Sequence, residues 1–333
     1  MNNSRMDEIR LGTVGSGLIV HKILDQVART GGIRLSAVYS RSEDTGRALA
    51  SKYGAERVYT DMDAFLSDEN VNFVYIATPN SLHYEQTKKA LLAGKNVICE
   101  KPFCARADQA GELADLAKEK RLFLVDAVPT TFLPNFEILK RELPKIGRVK
   151  LVQGNYSQYS SRYDKLLAGE VPNIFNPAYA GGCLMDINFY NVYLNVALFG
   201  SPIEAVYYPN MYNGTIDTSG VMVMRYDGFT SESAGAKDTW GENFFLIEGE
   251  QGYIYITNGS NGLAEIKVVT HTATEVFNEQ PDPQRWYYEV QGLTMFVLTD
   301  DYDSIYTRLD VMVDVMETIE TARRQAGIWF PGD

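Results

Sequence analysis

The stretch Ile9-Arg10-Leu11-Gly12-Thr13-Val14-Gly15-Ser16-Gly17-Leu18-Ile19-Val20 decides the fold. Residues 9–14 read as a buried strand, and residues 18–30 have the apolar spacing of an amphipathic helix. Between them lies Gly15-Ser16-Gly17, a glycine-rich turn. Such a turn lets the chain reverse sharply and exposes the free amides of a helix N-terminus, which bind phosphate. The first glycine permits the turn, and the second lets a pyrophosphate approach the backbone. Val20 stands where the dinucleotide fingerprint has its third glycine or alanine. Gly15, Ser16, Gly17, Leu18 and Ile19 are therefore candidate contacts of a dinucleotide cofactor.

Working outward, the same alternation continues. Residues 33–39, 71–77, 96–99 and 122–126 read as strands, and residues 43–53, 82–93 and 107–119 as helices, with Gly94 a stop signal. Strands alternating with helices imply crossover units on a parallel sheet, a doubly wound α/β domain over residues 1–128. After Pro129 the pattern changes. Residues 149–159 alternate like a half-exposed strand. Residues 221–226 and 230–234 flank Asp227-Gly228, a hairpin turn, and residues 244–248 and 253–257 pair around Gly249 and Gly252. Strands in runs imply an α+β second domain over residues 129–333, mostly antiparallel, with helices on one face. Residues 302–325 read as a long closing helix, with Leu309, Met312, Val313, Met316 and Ile319 on one side, in a position to pack back on the first domain.

The chain has 333 residues, 45% hydrophobic and 22% charged, which suits two globular domains. Its net charge of -12 argues against a nucleic-acid binder, which needs a basic surface. Its most apolar run, residues 184–199, is interrupted by Asp186, Asn188, Asn191 and Asn195, so no membrane span is expected. The first eight residues lack an apolar signal region, and three cysteines without metal-ligand spacing suit a reducing compartment. The expectation is a cytoplasmic protein with no metal site.

The end of the second predicted strand bears on the choice between NAD and NADP. An acidic residue there would hold a ribose 2′-hydroxyl. This chain has Ser40-Arg41-Ser42 instead. An arginine can fork onto a 2′-phosphate, two hydroxyls can donate to it, and no carboxylate repels it. NADP(H) is the expected cofactor, with NAD(H) second.

Four segments together resemble the Gfo/Idh/MocA oxidoreductase family. They are the glycine loop; Ala77-Thr78-Pro79-Asn80-Ser81-Leu82-His83; Glu100-Lys101-Pro102; and Gly181-Gly182-Cys183-Leu184-Met185-Asp186, leading to Tyr190. The resemblance covers nearly the whole chain. It implies a Rossmann domain followed by a domain built on a large open antiparallel sheet, which commonly joins copies into homodimers or homotetramers. It implies cofactor contacts at Thr78, Pro79, Asn80, Glu100 and Lys101, with His83 bordering the nicotinamide. Many members carry histidine where Tyr190 stands. Tyrosine there is similar to the branch of dimeric dihydrodiol dehydrogenases and glucose-fructose oxidoreductase, where NADP is usual. Relatives in that branch often have arginine at the place of Asn173.

The chemistry these residues suit is hydride transfer at an alcohol or carbonyl carbon of a sugar, polyol or cyclic alcohol. A free tyrosine titrates near ~10, and a neighbouring ammonium stabilises the phenolate. Tyr190 is assigned as proton shuttle, Lys101 as its electrostatic partner and Asp186 as orienter, four residues before Tyr190 and on its helix face. The alternative gives Lys101 the proton transfer itself. With 21 tyrosines in the chain, position alone would make Tyr190 a packing residue; the family resemblance raises it. His21, His271, Cys99 and Cys183 read as structural, and Trp286-Tyr287-Tyr288 as core packing. Loops over residues 156–163 and 173–179 are expected to shape the substrate pocket. Two rival functions remain: a non-catalytic NADP-binding sensor, and an enzyme that retains its cofactor between two substrates. Replacement Arg41→Ala should weaken NADPH binding far more than NADH binding in parallel fluorescence titrations; equal losses would remove Arg41 from the 2′-phosphate.

Overall fold

Strand β1 (Ile9–Val14) is buried along nearly its whole length. The computed structural model, which describes residues 6–333, builds its first sheet around it. The other strands are β2 (Ile33–Tyr39), β3 (Arg57–Tyr59), β4 (Phe73–Ile76), β5 (Asn96–Glu100) and β6 (Leu124–Ala127). Their order is β3-β2-β1-β4-β5-β6, and every pairing is parallel. The order reverses between β1 and β4, the place where open α/β sheets bind ligands at the carboxyl ends of their strands. Helices Leu18–Val27, Glu43–Tyr53, His83–Leu92 and Ala107–Lys120 make crossovers, each at or within a few residues of its expected span. The edge strand β3 and the helix Met62–Leu66 were not expected. Three residues are too few to show a period. This edge is instead fixed by Asp68, which accepts from Arg57 at 2.6 Å and from the Tyr59 hydroxyl at 3.0 Å.

The chain divides into two compact units. The first takes residues through 104, then 108–128 and 286–313; the second takes 105–107, 129–285 and 314–333. Helix Arg285–Leu298 was also not expected. Within the first unit, Lys22 lies 4.2 Å from the Trp286 ring centre and Arg29 lies 4.6 Å from that of Tyr287, so these aromatics pack under cations. The long helix Tyr302–Gln325 has the expected bounds, and its Tyr302 stacks on Phe123 at 4.0 Å.

The second unit holds an eight-stranded sheet. Its members are β7 (Val149–Ser157), β8 (Glu204–Tyr212), β9 (Ile216–Tyr226), β10 (Phe229–Ala236), β11 (Phe244–Gly249), β12 (Gly252–Thr257), β13 (Glu265–Thr270) and β14 (Thr274–Phe277). The order is β14-β13-β12-β11-β7-β10-β9-β8. All pairs are antiparallel except β7 with β10. Two meanders, β8 to β10 and β11 to β14, thus meet on β7. The Asp227-Gly228 hairpin forms as expected, with Gly228 at φ 90°. The unexpected strands β8, β13 and β14 lie toward the sheet margins, and β14 is exposed along most of its length, so its sequence need not alternate.

Helix Phe189–Phe199 crosses the parallel β7–β10 seam. Every residue from Phe189 to Val196 is buried, including Asn191 and Asn195. A Cβ on Gly235 of β10 would lie 2.6 Å from the Asn188 Cβ, so only glycine permits this approach. The asparagines then bond directly to the strand. Asn188 donates to the Ser233 carbonyl at 2.9 Å and Asn191 to the Ala234 carbonyl at 2.8 Å, while Ser260 donates to Asn191 at 2.7 Å. The amide nitrogens of Asn188, Asn191 and Asn195 all find acceptors, which is how the polar residues of the run at 184–199 sit inside a protein core. Among the described residues no helix is long and apolar enough to cross a membrane.

Candidate functional site

In the first unit the candidate residues gather at the carboxyl ends of β1, β2, β4 and β5. Gly15 follows β1 at φ +117°, and a Cβ there would lie 2.5 Å from the Ala77 carbonyl oxygen. Both the turn and the packing against β4 therefore demand glycine. Gly17 is different. It is the N-cap of helix Leu18–Val27, with no side-chain cap, and a Cβ on it would meet no heavy atom within 4 Å. Nothing in the protein's own packing calls for glycine there. The open space lies at an uncapped helix N-terminus, where the backbone can meet a pyrophosphate. Val20 is fully buried, so the core accommodates the departure from the fingerprint.

Ser40, Arg41 and Ser42 follow β2. The Ser40 hydroxyl accepts from the Ser42 amide at 3.3 Å, and the Ser42 hydroxyl caps its helix by accepting from the Thr45 amide at 3.4 Å. Each hydroxyl is held through its oxygen, which leaves its proton to donate. Arg41 is exposed beside them. These residues and the glycine loop fit a phosphorylated dinucleotide.

After β4, the Thr78 hydroxyl donates to Gln86 at 2.7 Å, and Pro79 leads into the short helix Asn80–Leu82. His83 is 1% exposed. Its Nδ1 faces the Pro102 carbonyl at 2.8 Å and its Nε2 faces the Thr78 carbonyl at 2.9 Å. The ring thus bridges the Thr78-Pro79-Asn80 loop to the Lys101-Pro102 loop. Burial lowers its pKa, outweighing the two carbonyls that favour the cation; the Lys101 charge lowers it further. After β5, Glu100 is buried, accepts from the Tyr75 hydroxyl at 2.6 Å and receives the Lys101 amide at 3.3 Å. Lys101 itself is half-buried at the strand end.

In the second unit the segment from Gly181 to Tyr190 is built around a carboxylate the sequence did not single out. Gly182 adopts φ +112°, and a Cβ there would lie 2.1 Å from Asp217 Oδ1. Asp217, buried in β9, accepts from the Leu184 amide at 2.7 Å and the Tyr207 hydroxyl at 2.8 Å. Burial pushes its pKa up, against these donors. The turn it fixes is π-helical over Leu184–Asn188 and continues as helix Phe189–Phe199. Asp186 is in the first turn, as expected, but its π geometry was not expected. π-Helical turns recur at functional sites.

The Asp186 carboxylate forms an ion pair with Lys237, one residue beyond β10. The Lys237 side chain is 5% exposed and that of Asp186 20%, so the cation is sealed in while the carboxylate keeps an open edge. The ammonium also lies 5.4 Å from the Phe175 ring centre. Lys237 was missed. Its available signal was a lone lysine ending the small-residue run Ser233-Ala234-Gly235-Ala236. Tyr190 is 5% exposed, edge-on to Tyr156 at 5.9 Å, with the Arg285 guanidinium 5.9 Å from its ring centre. Tyr156 is tied by Asn261, which donates to its hydroxyl at 2.5 Å. Cys99 and Cys183 are both buried, and burial raises both thiols, Cys99 to about 12. They remain protonated packing residues.

Residues 9–126 match the family described as "Oxidoreductase family, NAD-binding Rossmann fold", and residues 143–255 match "GFO/IDH/MocA C-terminal domain". The chain is 33% identical to the scyllo-inositol 2-dehydrogenase (NADP(+)) IolU of Bacillus subtilis (strain 168), over 98% of this chain and 99% of that protein. It is 24% identical to the trans-1,2-dihydrobenzene-1,2-diol dehydrogenase of Mus musculus, over 98% and 99%. Its fold matches that of a 3-ketoreductase from Actinomadura kijaniata, solved with NADP and TDP-benzene, at a TM-score of 0.84 and 19% identity, over 96% and 98%. The chain belongs to the Gfo/Idh/MocA family of nicotinamide-dependent oxidoreductases.

Because no side chain of the protein fills the space beside Gly17, Gly17→Ala should fold normally, with a stability change within about 0.5 kcal/mol. Its NADPH affinity should fall roughly tenfold or more, equivalent to ~1.4 kcal/mol, as the methyl group separates pyrophosphate from backbone. Thermal unfolding and fluorescence titration read the two quantities; unchanged affinity would place the pyrophosphate elsewhere.

Proposed function

We propose that this chain transfers a hydride between NADP(H) and a hydroxyl or carbonyl carbon of a sugar, polyol or cyclic alcohol. The observation that carries the reading is the strand-end arrangement: Gly15 to Gly17, Ser40 to Ser42, Thr78 and Lys101 all follow strands flanking the reversal of sheet order. Two held hydroxyls and an exposed arginine after β2, with no carboxylate in that tripeptide, support the 2′-phosphate. The NADP(+)-dependent inositol dehydrogenase among the relatives supports the same cofactor and a polyhydroxylated ring as substrate class.

When bound, the nicotinamide supplies the hydride or takes it up. The protein must then move one proton at the substrate oxygen. Tyr190 is the group proposed to carry it, and Lys101 contributes the positive charge that favours the phenolate. Asp186 orients the reacting hydroxyls as an acceptor. Lys237 acts through Asp186 as a positioning residue: a buried ammonium paired with the carboxylate holds it in one rotamer. His83 and Glu100 brace the loop that carries Lys101. The exposed outward residues Leu151, Tyr208 and Tyr253 of the eight-stranded sheet support pairing of copies through that face.

Tyr190→Phe should lower kcat with NADPH and a cyclic ketone or sugar by about 10²-fold or more, while the NADPH dissociation constant stays unchanged. Equal turnover would take Tyr190 out of the mechanism. Turnover by no polyol or sugar, with tight NADPH binding retained, would favour the sensor. Lys237→Met and Asp186→Asn should each lower kcat/KM about tenfold or more, and the double variant no further than the worse single one. Lys237→Arg should recover part of the loss. Additive losses would mean that the two side chains act separately.

A further inference from the structure

We infer that Tyr159 and Trp240 form a stacking platform for the second ring of a glycoside, next to the Asp186–Lys237 pair. The inference rests on the sugar or polyol reading above and extends it from one ring to two. The Trp240 indole and Tyr159 phenol lie parallel, with centres 5.8 Å apart and planes at 11°. Tyr163 meets Tyr159 edge-on at 5.8 Å and 86°. Trp240 is 77% exposed, so one indole face rests on Tyr159 while the other is open.

A single exposed apolar residue needs no explanation. This one is held on a braced loop. Beyond the ends of β7 and β10 the backbone pairing continues, with the Gln158 amide on the Ala236 carbonyl at 2.8 Å and the Ser160 amide on the Lys237 carbonyl at 2.9 Å. On the far side of Trp240, Asn155 donates to the Glu242 carbonyl at 2.6 Å, and Asn243 accepts from the Ser157 amide at 2.8 Å. Asp238 receives the Thr218 and Ser219 hydroxyls at 2.7 and 3.0 Å. Asp164 receives the Tyr159 hydroxyl at 2.6 Å, which fixes that ring and sets a carboxylate at its polar edge.

A rigid aromatic face with an acceptor at its rim matches a pyranose ring. The sugar's C–H face is apolar and its edge carries hydroxyl donors. Trp240 is three residues from Lys237, so the two Cα atoms are at most about 11 Å apart. One end of that span is the ion pair assigned to the reacting hydroxyls. The other is the platform, and the ring contacts from Phe175 through Tyr163 to Tyr159 connect the two.

The test is saturation-transfer NMR and calorimetry on the full chain with glucose, cellobiose, maltose and lactose, without cofactor. At least one disaccharide should bind more tightly than glucose, with saturation reaching both of its rings. Trp240→Ala should weaken that disaccharide about tenfold, erase saturation of one ring and leave glucose binding unchanged. Trp240→Phe should retain most of the affinity, and Tyr159→Ala should reproduce the loss. No disaccharide exceeding glucose would overturn the inference, as would equal losses for glucose and disaccharide. A change in sedimentation on Trp240→Ala would assign the face to subunit contact and overturn it too. None of these readouts depends on hydride transfer. A monosaccharide turned over with NADPH would uphold the oxidoreductase reading even where the platform fails, and absence of any turnover would count against that reading alone.

Discussion

A buried helix that carries amide side chains is tenable only if their N–H donors find acceptors. Helix Phe189–Phe199 meets that condition by lying against β10 closely enough for Asn188 and Asn191 to reach strand carbonyls. The approach depends in turn on Gly235, where a Cβ would collide with Asn188. Hydrogen bonds from helix to strand are directional, so they fix rotation and register in a way that apolar packing alone does not. Tyr190 stands at the second position of this helix and inherits that precision. The π-helical turn before it is anchored separately, by Asp217 on β9.

The Asp186–Lys237 pair is a second constraint of a different kind. Removing an ammonium from water costs several kcal/mol, roughly, and a single ion pair seldom recovers it with profit. Stability is therefore a weak reason for Lys237 to be sealed behind a carboxylate that keeps one edge exposed. The role proposed for Asp186, a charged acceptor held in place for a reacting substrate, is a better one. The nearby rings are arranged to match: Phe175 beneath the ammonium, Tyr163 against Phe175 at 6.0 Å, and Tyr159 and Trp240 beyond.

The first unit uses backbone carbonyls for the same end. His83 had been expected beside the nicotinamide on family grounds. Both of its ring nitrogens face main-chain oxygens, of Thr78 and Pro102. A neutral imidazole can donate to only one of them, so the ring serves as a short strut between two strand-end loops. Glu100, likewise expected at the cofactor, is engaged with Tyr75 and the Lys101 amide. Both residues act on the loop that presents Lys101.

The sequence by itself determined the parallel sheet, the glycine turn after β1, the Ser-Arg-Ser segment after β2 and the long closing helix. All of these are written in local periodicity or in turn chemistry, which neighbours along the chain decide. The short edge strand β3, the marginal strands β8, β13 and β14 and the helix Arg285–Leu298 were not legible, because their burial is set by distant segments. Of the proposed site, Lys101, Asp186 and Tyr190 could be named from motifs. Their supports could not. Lys237 and Asp217 reach the Asp186 turn only because β9 and β10 fold beside it: Asp217 lies 33 residues along the chain from its partner Leu184, and Lys237 lies 51 from Asp186. Charge pairing across such distances leaves no local pattern, and only tertiary structure decides it.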